Sequence, residues 1–397
     1  MQIQSLARSR IIHFGLAAVV SAFACAAQAV TYSVTELGSL GGTRTIANAV
    51  NSSGQVAGYS YTPGNLNYHA FITGPNGIGF FDLGTLPGTI NSVANGVNDA
   101  GRVVGTSYSA FSVTSPSIIR AFITGPNGAD ISVLDYLGGT GIYFGFQSVS
   151  NWGQGINNTG QVTGASNVVI FGSLRVAGFV TGANGVGVAA AATPTLALRG
   201  GLDINASGQI AGLSINSRAS FTDSNGTTTE IALPITLSSE ARAINDLGQV
   251  VGIRDVGDLT QSFITAPGGT ELRALGTLGG STFARDINNA GQVVGTSNVN
   301  EPRILGPRAF ITGPDGIGIT DLNSLVTFGN RLPVTFTEAS AINDSGQIAA
   351  IGSNGRSYLL TPVPEPAALS MLIAGLGLLV GAVRRRRAIT AGLRRSI

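Results

Sequence analysis

The chain of 397 residues contains no lysine; all 22 of its basic residues are arginine. It has one cysteine, Cys25, and two histidines, His13 and His69. Both Cys25 and His13 lie in the first 29 residues, a stretch expected to be removed (see below). The remaining body then has no thiol, so it can form no disulfide, no thiolate metal site and no cysteine nucleophile. One histidine cannot build a histidine-rich metal site, and a Ser-His-acid triad would have to use His69. Charged residues are only 11% of the chain. Eight of the arginines lie before residue 11 or after residue 383, which leaves the body mildly acidic. A nucleic-acid surface needs clustered positive charge, and the body has none. No H-E-x-x-H and no P-loop is found. The glycine-rich phrases lack the following helix that a phosphate cradle requires.

Glycine is abundant, at 57 residues, and much of it recurs at fixed places. Seven phrases share a small residue, Ile or Val, Asn, two variable residues, Gly, and an apolar run. They are AVNSSGQVAG (Asn51), GVNDAGRVVG (Asn98), GINNTGQVTG (Asn157), DINASGQIAG (Asn205), AINDLGQVVG (Asn245), DINNAGQVVG (Asn288) and AINDSGQIAA (Asn343). A second phrase follows each, of the type AFITGPNG, and a third, of the type LGTLGG, ends most units. The short β-branched and aromatic runs, bounded by Gly, Asn and Pro, predict strands joined by tight turns. Asn or Asp supports the turn and Gly supplies a positive φ. Four strands per unit of about 40–45 residues predict propeller blades. The expected fold is all-β, a seven-bladed propeller over residues 30–362.

The small pairs Ala47/Ala49, Ala94/Gly96, Ala241/Ala243 and Ala339/Ala341 are expected at the crowded axis. Phe71, Phe122, Phe179, Phe221, Phe263, Phe310 and Tyr358 are expected between blades. The last unit stops at SYLLTP with no fourth strand, while the chain opens on the unit-ending phrase VTELGSLGG. Tyr32 to Leu40 should therefore pair beside Arg356 to Thr361 and close the ring.

The two ends carry addresses. Arg8 and Arg10 precede an apolar run, and Ala27-Gln28-Ala29 fits a signal cleavage site, so residues 1–29 are expected to be a signal peptide. At the other end, Val363-Pro364-Glu365-Pro366 precedes 17 apolar or small residues, 367–383, the length of a short transmembrane helix. Arg384, Arg385, Arg386 and Arg387 follow at once, which holds that end in the cytoplasm.

Pro-Glu-Pro, a short apolar helix and an arginine cluster together resemble the PEP-CTERM sorting signal of Gram-negative bacteria. The resemblance implies that residues 363–397 are a sorting tail. It implies export across the inner membrane, transient anchoring, and processing by an exosortase to reach the cell surface or the medium. It also implies an exopolysaccharide-rich setting. The repeat phrases resemble the HAF family of extracellular repeats, named for the triplet seen at His69, Ala70 and Phe71. That resemblance covers nearly all of residues 32–362 and implies export rather than an activity.

Candidate sites are few. His69 occupies a variable position and is expected to be a strand-edge residue. Asp99, Asp246 and Asp344, with Asn158 and Asn289, follow the turn Asn; they suit either turn geometry or a ring of calcium-binding oxygens. Trp152, Tyr143, Phe144 and Phe146 fall in the longest departure from the repeat and are candidate ligand contacts. No catalytic, cofactor or metal residue is assigned. The expectation is a non-enzymatic binding or scaffolding protein of the envelope or matrix, with exopolysaccharide as a partner. The alternatives are an extracellular carbohydrate-active hydrolase or lyase using channel carboxylates, and a protein-binding adhesion module.

Overall fold

The computed structural model describes residues 30–109, 118–137, 142–143, 146–147, 150–170, 173–191, 198–231, 238–301, 304–326 and 334–363. Residues 1–29, expected to be a signal peptide, and the tail from Pro364 onward lie outside them. Tyr32–Pro362 forms one compact unit. It is a seven-bladed β-propeller, with no α-helix among the described residues.

Each blade is an antiparallel sheet of four strands, and in blades 1 to 6 the strands follow chain order from the axis outward. The innermost strands are Thr45–Val50, Asn91–Val97, Asn151–Ile156, Leu198–Ile204, Ser239–Ile244, Thr282–Ile287 and Phe336–Ile342. Blade 7 is built from both ends of the unit. Its outer strand is Tyr32–Glu36, with Tyr32 opposite Pro362 and Glu36 opposite Tyr358. The orphan opening phrase thus closes the ring and covers a strand edge that would otherwise be open.

The third-strand aromatics fill the spaces between blades. Phe71, Phe122, Phe179, Phe263 and Phe310 are fully buried, and Phe221 and Tyr358 nearly so. Phe71 of blade 1 packs against Ala341, Ala349 and Leu359 of blade 7. Phe122 of blade 2 packs against Ala57, Ala70 and Ile72 of blade 1. Each such ring contributes about 1.5–3 kcal/mol by leaving water.

The repeated glycine of the Q-V-V-G phrase has a steric cause. A Cβ on Gly252 would lie 2.1 Å from the Glu240 carbonyl oxygen and 2.7 Å from Cζ of Phe263. Gly58, Gly105, Gly164, Gly212 and Gly295 meet the same obstacle from the innermost strand. In these six blades the innermost strand carries a β-bulge beside this glycine; blade 7 has the bulge too, with Ala350 at this place.

The unit-ending phrase also clips blades together. In the tail of blade 1, the Leu86 amide donates to Ser107 Oγ of blade 2 at 3.1 Å. Leu278 does the same to Ser297 at 3.0 Å. Leu40, in the opening phrase, donates to Ser60 Oγ of blade 1 at 3.0 Å, so the fragment at the start makes the junction from blade 7 to blade 1.

Candidate functional site: the axial channel

The bulges decide what the axis presents. The residue inserted between the two small positions turns toward the channel, so Asn48, Asn95, Gln154, Leu202, Arg242, Arg285 and Ser340 line it. The expectation of an alanine-lined axis is half right. Ala49, Gly96, Ala243 and Ala341 line the channel, but Ala47, Ala94, Ala241 and Ala339 are buried in the cores. The bulge puts two consecutive residues opposite one, so strict alternation fails here.

At one end of the channel the seven turn asparagines form a closed circle. Each side-chain amide donates to the backbone carbonyl of the corresponding Asn in the next blade, at 2.8–3.2 Å. The Asn343 bond to Asn51 completes it. In the same residues Oδ1 accepts the amide four positions later, as from Gln55 to Asn51 at 2.9 Å. The repeated Gln supports the arrangement, since Asn51 Nδ2 also donates to Gln55 Oε1 at 2.8 Å. Blade 2 has Arg102 at that place, and its guanidinium donates to the Thr124 carbonyl.

The turn acids add further bonds between neighbouring blades. Asp99 accepts the Ser52 amide at 2.9 Å and the Asn158 side-chain amide at 2.7 Å. Although desolvation works the other way, these hydrogen bonds hold the Asp99 carboxyl below its usual range. Asp246 accepts from Ala206 and Asn289, and Asp344 accepts twice from Asn289. Their oxygens serve blade-to-blade bonds. Among the described residues no group of three or more His, Cys, Asp or Glu side chains converges.

Two further channel acids carry no mark in a residue-type search. The place filled by Ala49, Gly96, Gly155, Ala243 and Ala341 is aspartate in blades 4 and 6, Asp203 and Asp286. The only signal is the substitution itself, GLDIN and ARDIN against AxAIN. Asp203 accepts the Ile204 amide at 2.8 Å and the Ile244 amide of blade 5 at 2.9 Å. Asp286 accepts from Ile287 at 2.8 Å and from Ile342 of blade 7 at 2.8 Å. Each carboxylate therefore latches its blade to the next. Burial raises the Asp203 carboxyl to about 6. Burial, then the charge of Asp203, raises Asp286 to about 7. Both keep some exposure to the channel although protein surrounds them, so water reaching the axis tempers these shifts.

Two arginines of the channel pair with glutamates instead. Arg285 Nε lies 2.9 Å from Glu338 Oε1, joining blades 6 and 7. Arg242 Nη2 lies 3.3 Å from Glu240. Its Nε and Nη1 are buried with no partner among the described residues. Burial works against its charge and lowers its pKa. The channel thus combines amides, a hydroxyl, two guanidinium groups and two engaged carboxyls, a surface suited to polar ligands.

The sequence candidates are spread apart. Trp152 sits half-buried on the innermost strand of blade 3, two residues before the channel residue Gln154. Tyr143 and Phe146 pair in a two-stranded hairpin outside the blades. Phe144 lies outside the described residues. His69 is on the third strand of blade 1, its Nδ1 2.9 Å from Asp82 Oδ2 on the outer strand. Of the sorting-signal residues, Val363 is described and is 44% exposed. Pro364, Glu365, Pro366 and Arg384 to Arg387 lie outside the described residues.

Fold and axis together define a propeller with a polar central channel. Residues 362–387 match the PEP-CTERM protein-sorting motif. That signal marks an exported protein of a Gram-negative bacterium, sorted through a membrane-anchored C-terminus and recognised by an exosortase. No curated protein matches the chain. Among solved structures, it resembles an oligogalacturonate lyase from Vibrio parahaemolyticus at 9% identity, covering 85% of this chain and 98% of that one, TM-score 0.53. It also resembles a virginiamycin B lyase from Staphylococcus aureus at 11% identity, covering 84% and 100%, TM-score 0.49. A third likeness is TolB from Acinetobacter baumannii at 10% identity, covering 84% and 97%, TM-score 0.42. At these identities the likeness is one of fold.

Proposed function

We propose that the protein is a non-enzymatic binding propeller of the cell envelope or extracellular matrix, associated with exopolysaccharide and released or attached after exosortase processing. The observation that carries this reading is the axial channel. Its amides and arginines offer hydrogen bonds to a hydroxyl-rich ligand, while its two acids are committed to backbone amides. Each oxygen of the two carboxylates already accepts a backbone amide, which gives both side chains a structural role at the blade junctions. A screen of polysaccharides against the full chain in detergent, with Arg242→Ala and Trp152→Ala as controls, tests the reading. Binding weakened by either substitution supports it; unchanged binding in both removes the channel from it. Sorting is tested by fractionating wild-type and exosortase-deficient cells. An intact tail and the same location in both would overturn the processing claim.

A hydrolase or lyase is the second reading, favoured by the paired channel acids with raised pKa. It predicts that incubation shortens a polysaccharide and that Asp203→Asn together with Asp286→Asn abolishes this. Unchanged chain length with the wild-type protein would sink it.

A further inference from the structure

Tyr59, Tyr61 and Tyr68 form a compact triangle on one face of blade 1. Their ring centroids are 5.3 Å apart for Tyr59–Tyr68, 5.6 Å for Tyr61–Tyr68 and 6.3 Å for Tyr59–Tyr61. The rings are tilted by 53–55° to one another. All three are half-buried, and none of their hydroxyls has a hydrogen-bond partner among the described residues. Tyr61 stands opposite Tyr68 in the β-ladder and Tyr59 is its neighbour on the same face, so the register gathers the rings while leaving their hydroxyls unengaged. Tyr358, by contrast, is buried against Phe336 and its hydroxyl accepts from Asn354.

The triangle is held rigid. The hairpin after Tyr61 is closed by Thr62 and Asn67, the Thr62 amide donating to the Asn67 carbonyl at 3.0 Å. Asn65 Oδ1 accepts from the Thr43 amide at 2.9 Å and from its hydroxyl at 3.1 Å. The Gly42 amide donates to the Tyr61 carbonyl at 2.9 Å. A Cβ on Gly42 would lie 2.4 Å from that carbonyl oxygen, so the double glycine of the opening phrase lets the chain lie directly against Tyr61. Arg44 is exposed beside the triangle, its carbonyl accepting the Tyr61 amide at 3.0 Å. The hairpin supplies Asn65, Asn67 and Thr62 as a polar rim.

We propose that this triangle is a saccharide-binding platform, taking a pyranose chain on the tyrosine rings with the free phenols and Arg44 bonding its hydroxyl or carboxylate groups. Tyrosine presents a large stacking area with a polar tip at low entropic cost, and a pinned platform loses little freedom on binding. A nucleic-acid ligand would need clustered cations, and the body of the chain is mildly acidic. The proposal rests on the polysaccharide reading above but places the contact on blade 1, away from the axis.

The test uses the full chain in detergent, with alginate as an acidic probe and dextran as a neutral one, followed by affinity electrophoresis and calorimetry. Tyr61→Ala and Tyr68→Ala should each weaken binding about tenfold, the scale of one stacked ring. Tyr68→Phe keeps the packing and removes only the hydroxyl, so it should weaken binding by a few-fold even if an alanine variant misfolds. A preference for alginate that Arg44→Ala abolishes assigns the arginine to a carboxylate. Wild-type binding in all the tyrosine variants overturns the platform. If only Arg242→Ala and Trp152→Ala lose binding, the platform fails and the channel reading stands. Binding to neither polymer overturns both. Self-association that depends on Tyr61 and Tyr68, without glycan binding, would assign the surface to a second copy and overturn the proposal.

Discussion

The side-chain amide of Asn343 donates to the backbone carbonyl of Asn51 at 2.8 Å, across 292 residues of chain. This bond joins the last blade to the first and makes the seven asparagines a closed circle. The same residue type serves two needs at once. Its oxygen organises the local turn, and its nitrogen reaches the next blade.

Asn343→Ala should therefore cost more than an ordinary turn substitution. It removes the bond to Asn51, the bond to Gln347 Oε1 and the acceptor for the Gln347 amide. At about 1 kcal/mol for each bond, plus the cost of stranded buried groups, a loss of more than about 3 kcal/mol is expected. Urea denaturation checks it. Asn343→Asp keeps the acceptor and loses the donor, so it should fall short of wild type but exceed the alanine variant.

Deleting Tyr32–Gly42 should abolish cooperative unfolding. The deletion removes the whole outer strand of blade 7, the buried Leu37 between blades 7 and 1, and the Leu40–Ser60 clip. Burial of Tyr32 and Leu37 alone contributes about 3–6 kcal/mol, against a typical domain stability of about 5–15 kcal/mol. Circular dichroism and limited proteolysis would register the loss. A sharp thermal transition near that of the intact chain would contradict it.

Stability should fall as pH rises from about 4 to 7. Asp203 and Asp286 have folded pKa values of about 6 and about 7, above the unfolded value of 3.8. In that interval the native state binds more protons than the unfolded chain, so ∂ΔG/∂pH of unfolding is negative. Their contribution is complete below the unfolded pKa and is lost as pH passes through the folded values. Asp286→Ala should flatten the slope and cost more at pH ~5 than at pH ~8, because at the higher pH it also relieves the fold of a buried charge. Melting temperatures across the pH range decide the matter.

Gly252→Ala should be severe for a change of one methyl group. The Glu240 carbonyl stands 2.1 Å from the added atom and cannot move without opening the bulge. A loss of about 3 kcal/mol or more is expected from overpacking, read as a shift in the urea midpoint. Blade 7 has Ala350 at the same register, opposite Ala339, and Tyr358 in place of the phenylalanine. Ala350→Gly should therefore cost no more than about 1 kcal/mol, the ordinary effect of glycine in a strand.

Much of this architecture was legible because it is local and repeated. Strand, turn and blade follow from β-branched runs, Asn turns and positive-φ glycines, each specified within a few residues. Closure was legible too, since a fragment without a unit and a unit without a last strand can be matched by counting. The PEP-CTERM tail is likewise a linear signal. What lines the axis was not legible. Asn48, Gln154 and Arg242 face the channel because a bulge changes the side-chain direction, and strand alternation alone does not show it. Asp203 and Asp286 looked like variants of a small position; their latch role exists only because Ile244 and Ile342 of neighbouring blades present amides there. The tyrosine triangle needed the hairpin to fold back, bringing Tyr68 beside Tyr59 and Tyr61. Sequence by itself determined the number of blades, their strands and the closing phrase, because short-range propensity and repetition encode them. Tertiary structure alone decided the asparagine circle, the chemistry of the channel and the tyrosine platform, because each is made by groups that meet only when the chain folds back or the ring closes.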